Sequence, residues 1–252
     1  MAYSAALGET HRRYFDTGAP GGVLAHPLFP VCYEWPVSRP IRQIPELREH
    51  FPRLVHAEHD LVLHRMPRHG DRLSTSVRIT SVAQRKPGAF VVFRFDTRDA
   101  HGEPVSTTDF GVLYRGVEVE GPDCGAAMSI PATQPALKPL ANVEVAANAA
   151  HVYTECARIW NPIHTDIAHA RAAGLPGIIL HGTATLALSV SKVLGNIDPR
   201  RVRRLRCRFS GMVPMPSTLE IFAHQYEQSL FFETRKTDGE IVVSRGSIEL
   251  DG

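Results

Sequence analysis

Residues Tyr153 to Ser189 read YTECARIWNPIHTDIAHARAAGLPGIILHGTATLALS. Pro162 disfavours helical backbone at Asn161, so Asn161-Pro162 forces a turn and presents the imidazole of His164 just beyond it. Asp166 is placed to cap a short helix running to about Ala173, where Gly174 is an ordinary stop. A second helix is expected to start at Gly182. From Thr183 to Leu194 (TATLALSVSKVL) it is apolar around nearly its whole circumference, which suits a helix wrapped by a sheet rather than one lying on a surface.

The sheet to wrap it is legible in two places. FVVFRFDTRDAHGEPVSTTDFGVLY (Phe90 to Tyr114) reads as two strands rich in β-branched and aromatic residues, turning at His101-Gly102. SLFFETRKTDGEIVVSRGSIEL (Ser229 to Leu250) repeats the scheme with Asp238-Gly239 at the turn, where glycine supplies positive φ. Upstream of each hairpin lies another matching piece, His64 to Val82 (containing HGDRL) and Cys207 to Gln225 (containing MPSTL). HGEPV against DGEIV, each closing a half of the chain, indicates an internal duplication. Between the halves, Gly116 to Asn142 is rich in Gly, Ala and Pro and is expected to be a connector. The units are set at residues 1–120 and 140–252. The halves differ in their helices, because the first offers only Pro45 to Phe51, closed by Pro52.

Composition narrows the functional class. Of 252 residues 43% are apolar and 21% charged, an ordinary soluble mixture, and 19 Gly with 19 Pro favour short strands and turns over a long bundle. A net charge of +2 does not point to a nucleic-acid binder. Cys32, Cys124, Cys156 and Cys207 lie far apart without a CxxC pair, so neither disulfides nor structural zinc are expected, and a reduced, cytoplasmic setting fits. The most apolar stretch, Gly177 to Gly195, is broken by His181, Ser189, Ser191 and Lys192 and gives no support for a membrane span. No GxGxxG, GxxxxGK[ST] or GxSxG occurs, and HAEHD (His56 to Asp60) is not HExxH, so nucleotide-cofactor, serine-hydrolase and metal readings lack a foundation.

NPIH, the short helix after it, AG, and HG at the head of the long helix together resemble the MaoC-like hydratases, the (R)-specific enoyl-CoA hydratases and 3-hydroxyacyl thioester dehydratases. The resemblance covers the second half well. Through the duplicated strands, His26 to Pro36 (HPLFPVCYEWP) and HGDRL, it extends loosely to the amino-terminal half of double-hot-dog members. It implies an α+β fold in which two curved antiparallel sheets each wrap a helix, packed side by side with one acyl-thioester tunnel at their junction. It implies His164 as the acid-base, Gly182 as an amide donor to the thioester oxygen and Asn161 as the residue fixing the turn. No cofactor is expected, coenzyme A or phosphopantetheine being the carrier of the substrate.

One departure bears on mechanism. The family runs serine, glycine, aspartate, any residue, then NPxH, and that aspartate shares a water with the histidine; here the positions are Ala157, Arg158 and Ile159. Hydrating an enoyl thioester needs a base for the water and an acid for the α-carbon, and losing one positioned group costs roughly 10²- to 10⁴-fold in rate. Glu155 and Asp166 are the carboxylates close enough in sequence to substitute.

Other residues have competing readings. His181 is either a satisfied, semi-buried imidazole or a pocket residue, and Gly182 serves close helix-sheet packing, oxyanion donation or both. Trp160 is expected to line the pocket or the core. In RRVRRLRCRF (Arg200 to Phe209), Arg204, Arg206 and Arg208 share one strand face. They form either a solvated face over a core strand or a grip on coenzyme A phosphates or an acidic acyl carrier protein. The leading expectation is an acyl-thioester hydratase or dehydratase, a hydro-lyase. Its rival is a hot-dog protein without hydration, either an acyl-binding scaffold or a His164-dependent tailoring enzyme for cyclisation or tautomerisation. A homodimer is expected, since such units pair.

Overall fold

The structure, a computed structural model, describes residues 1–128 and 130–252. Its helices are α1 (Ala2–Ala6), α2 (Pro30–Ser38), α3 (Pro45–Arg48), α4 (Ala149–Ala157), α5 (Ile167–Ala172) and α6 (Gly182–Leu194). Its strands are β1 (Leu54–Leu63), β2 (Ser74–Arg85), β3 (Gly88–Arg98), β4 (Pro104–Arg115), β5 (Cys124–Gly125), β6 (Lys138–Val145), β7 (Val202–Phe209), β8 (Ser217–Tyr226), β9 (Ser229–Lys236) and β10 (Ile241–Leu250).

The strands form one sheet in the order β5-β2-β3-β4-β1-β7-β10-β9-β8-β6. Read outward from the central β1–β7 pair, each half has the same connectivity: a first strand flanked by the last, then the hairpin partner, then the second. The two expected hairpins are present, with Gly102 at φ +83° and Gly239 at φ +86° in their turns. At the seam β1 and β7 run antiparallel, with His59 opposite Cys207 and Leu61 opposite Leu205. Leu61, Leu205 and Cys207 point inward and are buried, as strand alternation demands.

Two features depart from expectation. The last residues of the Gly/Ala/Pro-rich stretch 116–142 belong to β6, which pairs with β8 along Lys138–Ala223 to Val145–Ser217 and closes the sheet edge. Ser129, in the same stretch, lies outside the described residues. The helix of the first half is also misplaced: Pro45 to Phe51 yields only the one-turn α3, followed by a 3-10 turn at Phe51–Arg53. The substantial helix is α2, built from the PVCYEWPVS of Pro30 to Ser38. Proline reads as a breaker, yet Pro30 occupies the first turn, where its missing N–H costs nothing.

Helix α6 runs through the second half as expected, with Ala184, Leu186, Ala187, Val190, Val193 and Leu194 buried. Its polar residues are satisfied internally: Ser189 Oγ donates to Thr185 O at 2.8 Å and lies 2.6 Å from Thr234 Oγ1. A large core surrounds α6 and extends over α1, α4 and the start of α2, while a smaller one (Ala89, Val91, Phe93, Phe95, Val112, Tyr114) fills the amino-terminal half-sheet. Among the described residues no helix is long and apolar enough to cross a membrane.

Candidate functional site

A cavity of about 540 Å³ opens where the two halves meet. The second half lines it with Ile159, Asn161, His164, His181 and Gly182, and the first half with Val31, Glu34, Trp35, Phe93, Phe95 and Phe110.

The turn before His164 forms as Pro162 requires. Asn161 is extended (φ −126°, ψ 115°), and its carbonyl accepts from His164 N at 3.1 Å, closing a 3-10 turn over Pro162–His164. His164 is 9% exposed, and its Nδ1 lies 2.8 Å from Ile179 O. A carbonyl can only accept, so Nδ1 carries the proton and Nε2 keeps the lone pair. Burial lowers the His164 pKa to about 4, against a small opposing effect of that bond. At neutral pH the ring is therefore an uncharged base on the wall of the cavity.

His181 stacks on His164, ring centroids 3.7 Å apart. Its Nε2 donates to Ile159 O at 3.4 Å and lies 3.3 Å from Thr154 Oγ1, which leaves Nδ1 buried and without a partner among the described residues. Burial and then the charge His164 would carry both push its pKa down, so the pair resists protonation. Just beyond, α6 begins at Gly182 with no side-chain cap, and its first amides lack intrahelical acceptors. A Cβ on Gly182 would stand 3.2 and 3.3 Å from the Phe209 ring, so close packing is one reason for glycine here.

Where the family pattern has a carboxylate, the Ile159 side chain is 5% exposed within the core and lines the cavity. Neither expected substitute reaches it. Glu155 is exposed on α4 and accepts from Trp160 Nε1 at 3.4 Å. Asp166 caps α5, accepting from Ala168 N at 2.8 Å and His169 N at 3.1 Å, bonds that hold its carboxyl below the usual range. Both side chains are committed outside the cavity. Trp160, expected in the pocket or core, is 52% exposed; Arg158 before it adopts a left-handed backbone (φ 58°) that ends α4 and turns the indole outward.

The three arginines do not face the cavity either. Leu205 and Cys207 point inward, so Arg204, Arg206 and Arg208 stand on the opposite face, where neighbouring strands supply carboxylates. Arg204 forks onto Asp60 (2.8 and 2.6 Å), Arg208 holds Glu58 (3.0 and 2.5 Å), and Arg206 pairs with Glu249. The face is neither open cations nor fully solvated: its arginines are held in partly buried ion pairs, and those with Asp60 and Glu58 join the two halves across the seam. Among the described residues, Arg115 at the end of β4 is an arginine that lines the cavity.

The first half repeats the framework without its base. His26 lies shortly before α2, whose N-cap is Phe29, where His181 is itself the N-cap of α6, and Tyr14 ends a 3-10 turn, Arg12–Tyr14, as His164 ends its own. Tyr14 is a buried phenol whose pKa is pushed up to about 12, chiefly by burial, so it is no base at neutral pH.

Residues 132–245 match the MaoC like domain family. The second half is a MaoC-like domain. Residues 1–108 match the FAS1-like dehydratase domain region. The chain is 26% identical over 221 residues to the mouse peroxisomal multifunctional enzyme type 2, covering 83% of this chain and 29% of that protein, so it spans about a third of that relative's length. It superposes on a MaoC-like dehydratase from Phytophthora capsici with a TM-score of 0.85 at 21% identity, over 99% of this chain and 90% of that one. A Mycobacterium tuberculosis protein described as having a double hotdog fold gives a TM-score of 0.65 at 17% identity, over 98% and 89%. At these identities the likeness is one of fold, and the fold is a double hot-dog.

Among the described residues no group of three or more His, Cys, Asp or Glu side chains could hold a metal ion. Sequence reasoning missed Glu34, His56 and Phe209 on the cavity wall; only the tertiary fold brings β1 and α2 to a site whose motif lies in residues 161–182.

Proposed function

We propose that this MaoC-like protein adds water to, or removes it from, an acyl thioester, with two hot-dog units, 1–120 and 140–252, sharing one site. The observation that carries this reading is the convergence of an uncharged His164 and the start of α6 at Gly182, which has no side-chain cap, on one largely apolar cavity. His164 Nε2 takes a proton from water as the oxygen attacks C3 of an enoyl thioester. The amide of Gly182 donates to the carbonyl oxygen as the enolate charge develops. The imidazolium then returns the proton to C2, so one ring serves as base and acid in turn. No cofactor enters this scheme. Coenzyme A or a carrier protein's phosphopantetheine is the proposed carrier, a homodimer the proposed assembly, and a reducing compartment such as the cytoplasm the proposed setting, consistent with four unpaired cysteines.

Ile159 specifically favours a second reading, a tailoring reaction such as tautomerisation that needs one base and one oxyanion donor, or acyl binding without turnover. Following trans-2-enoyl-CoA absorbance with purified protein separates them. Turnover that falls at least roughly 10²-fold in His164→Ala supports hydration. Bound acyl-CoA without turnover sinks it. Ile159→Asp is expected to raise turnover by restoring the second proton-transfer group.

A further inference from the structure

The cavity holds a carboxyl that the chemistry above does not use. Val31, Glu34, Trp35 and Ser38 of α2 line it at i, i+3, i+4 and i+7, so one face of the helix is turned to the cavity. Glu34 is 4% exposed on this face. Its Oε1 accepts from Thr108 Oγ1 at 2.6 Å, and Oε2 has no hydrogen-bond donor among the described residues. Burial raises its pKa to about 7 against the opposing effect of the Thr108 bond.

Glu34 stands on the wall supplied by the first half, whereas Gly182 stands on that of the second. From Gly182 the wall passes to Phe209, to His56 (ring centroids 4.4 Å), to Phe110 (3.6 Å) and to Phe95 (6.2 Å), the strand partner of Thr108. A plain alkyl chain filling this space would exclude water from Oε2 and leave it unpaired, which penalises a chain without a donor. A hydroxyl on the chain would donate to it.

We propose that the cavity selects an acyl group bearing a hydroxyl remote from the thioester, and that Glu34 is the residue that reads it. The proposal rests on the acyl-thioester reading but not on hydration. Its test is therefore equilibrium binding of saturated acyl-CoAs by calorimetry: decanoyl-CoA against a set of hydroxydecanoyl-CoA isomers with the hydroxyl at successive carbons. At least one isomer with its hydroxyl beyond C3 is expected to bind the wild-type protein roughly tenfold or more tightly than decanoyl-CoA, the order expected when one buried acceptor is otherwise left unpaired. In Glu34→Leu that preference disappears and decanoyl-CoA binds more tightly than before. Glu34→Gln, which keeps an acceptor oxygen, retains part of it. Decanoyl-CoA binding as well as every isomer overturns the proposal, as does a preference that survives Glu34→Leu. The wild-type series decides even if the Leu variant fails to fold. If no acyl-CoA binds at all, the acyl-thioester reading falls and this proposal with it.

Discussion

His59→Phe tests the physics that keeps the histidines of this protein uncharged. His59 is 0% exposed on β1 at the seam, and neither ring nitrogen has a hydrogen-bond partner among the described residues. Burial lowers its pKa from 6.5 to about 4, the charge of Asp109 pulling weakly the other way. Above about pH 6.5 both folded and unfolded chains hold the ring neutral. As the pH falls, the unfolded chain takes up a proton that the folded one refuses until about pH 4, so stability is lost across that window and not beyond it. With about 1.4 kcal/mol per unit of separation, His59 alone removes roughly 2 kcal/mol by about pH 5. Phenylalanine keeps a ring against His56 and Phe110, which lie 5.4 and 6.2 Å away between centroids, and removes the titration. Urea unfolding of both proteins at about pH 7.5 and about pH 5 should show the variant losing about 2 kcal/mol less than wild type on acidification. It should also be at least as stable at the higher pH, because two unpaired nitrogens are gone. Equal acid sensitivity would refute the reasoning and mean that His59 titrates normally. Glu34, whose pKa is raised instead, stabilises the fold as pH falls from about 7 towards 4.5, and it is common to both proteins.

The same sign argument applies to His164: in Glu34→Gln, which removes the other cavity group that titrates near pH 7, kcat/KM for an enoyl-CoA should stay flat from about pH 8 to about pH 5, and a break near pH 6.5 would show the ring to be solvated. Gly182→Ala presses a methyl against Phe209 at 3.2 Å, so the ring must shift at the oxyanion end; kcat/KM is expected to drop roughly tenfold or more with the fold retained in circular dichroism. Arg204→Ala leaves Asp60, which is 5% exposed, without its fork, and should cost about 3–5 kcal/mol in urea unfolding while KM for acyl-CoA changes little. A large KM effect with unchanged stability would restore the phosphate-grip reading.

Some of the molecule was legible because the signals are local. Strand alternation with Gly102 and Gly239 at the turns exposed both hairpins, and Asp166, Gly174 and the apolar run after Gly182 outlined α5 and α6. Other elements escaped because local signals point the wrong way. The prolines of α2 suppress a helix reading although Pro30 suits a first turn, and β6 is a strand because β8 has an open edge to pair with.

The site divides along the same line. NPIH determines its own turn, because proline restricts Asn161 whatever surrounds it. HG marks a helix start for similarly local reasons. What depends on residues far away in sequence could not be read. Arg204 and Arg208 look like a cationic grip until Asp60 and Glu58, 144 and 150 residues earlier, are seen to neutralise them. Glu155 and Asp166 look like spare catalytic carboxylates until their bonds to Trp160 and to the first amides of α5 are seen to hold them outside the cavity. Glu34 has no motif around it and gains meaning only because α2 turns that face to a cavity shared by both halves. By itself the sequence determined the repeated hairpins and the turn that presents His164. Charge pairing, burial and the shape of the cavity were decided by the tertiary structure, since each depends on which strand lies beside which, and the β1–β7 seam is made by residues more than a hundred positions apart.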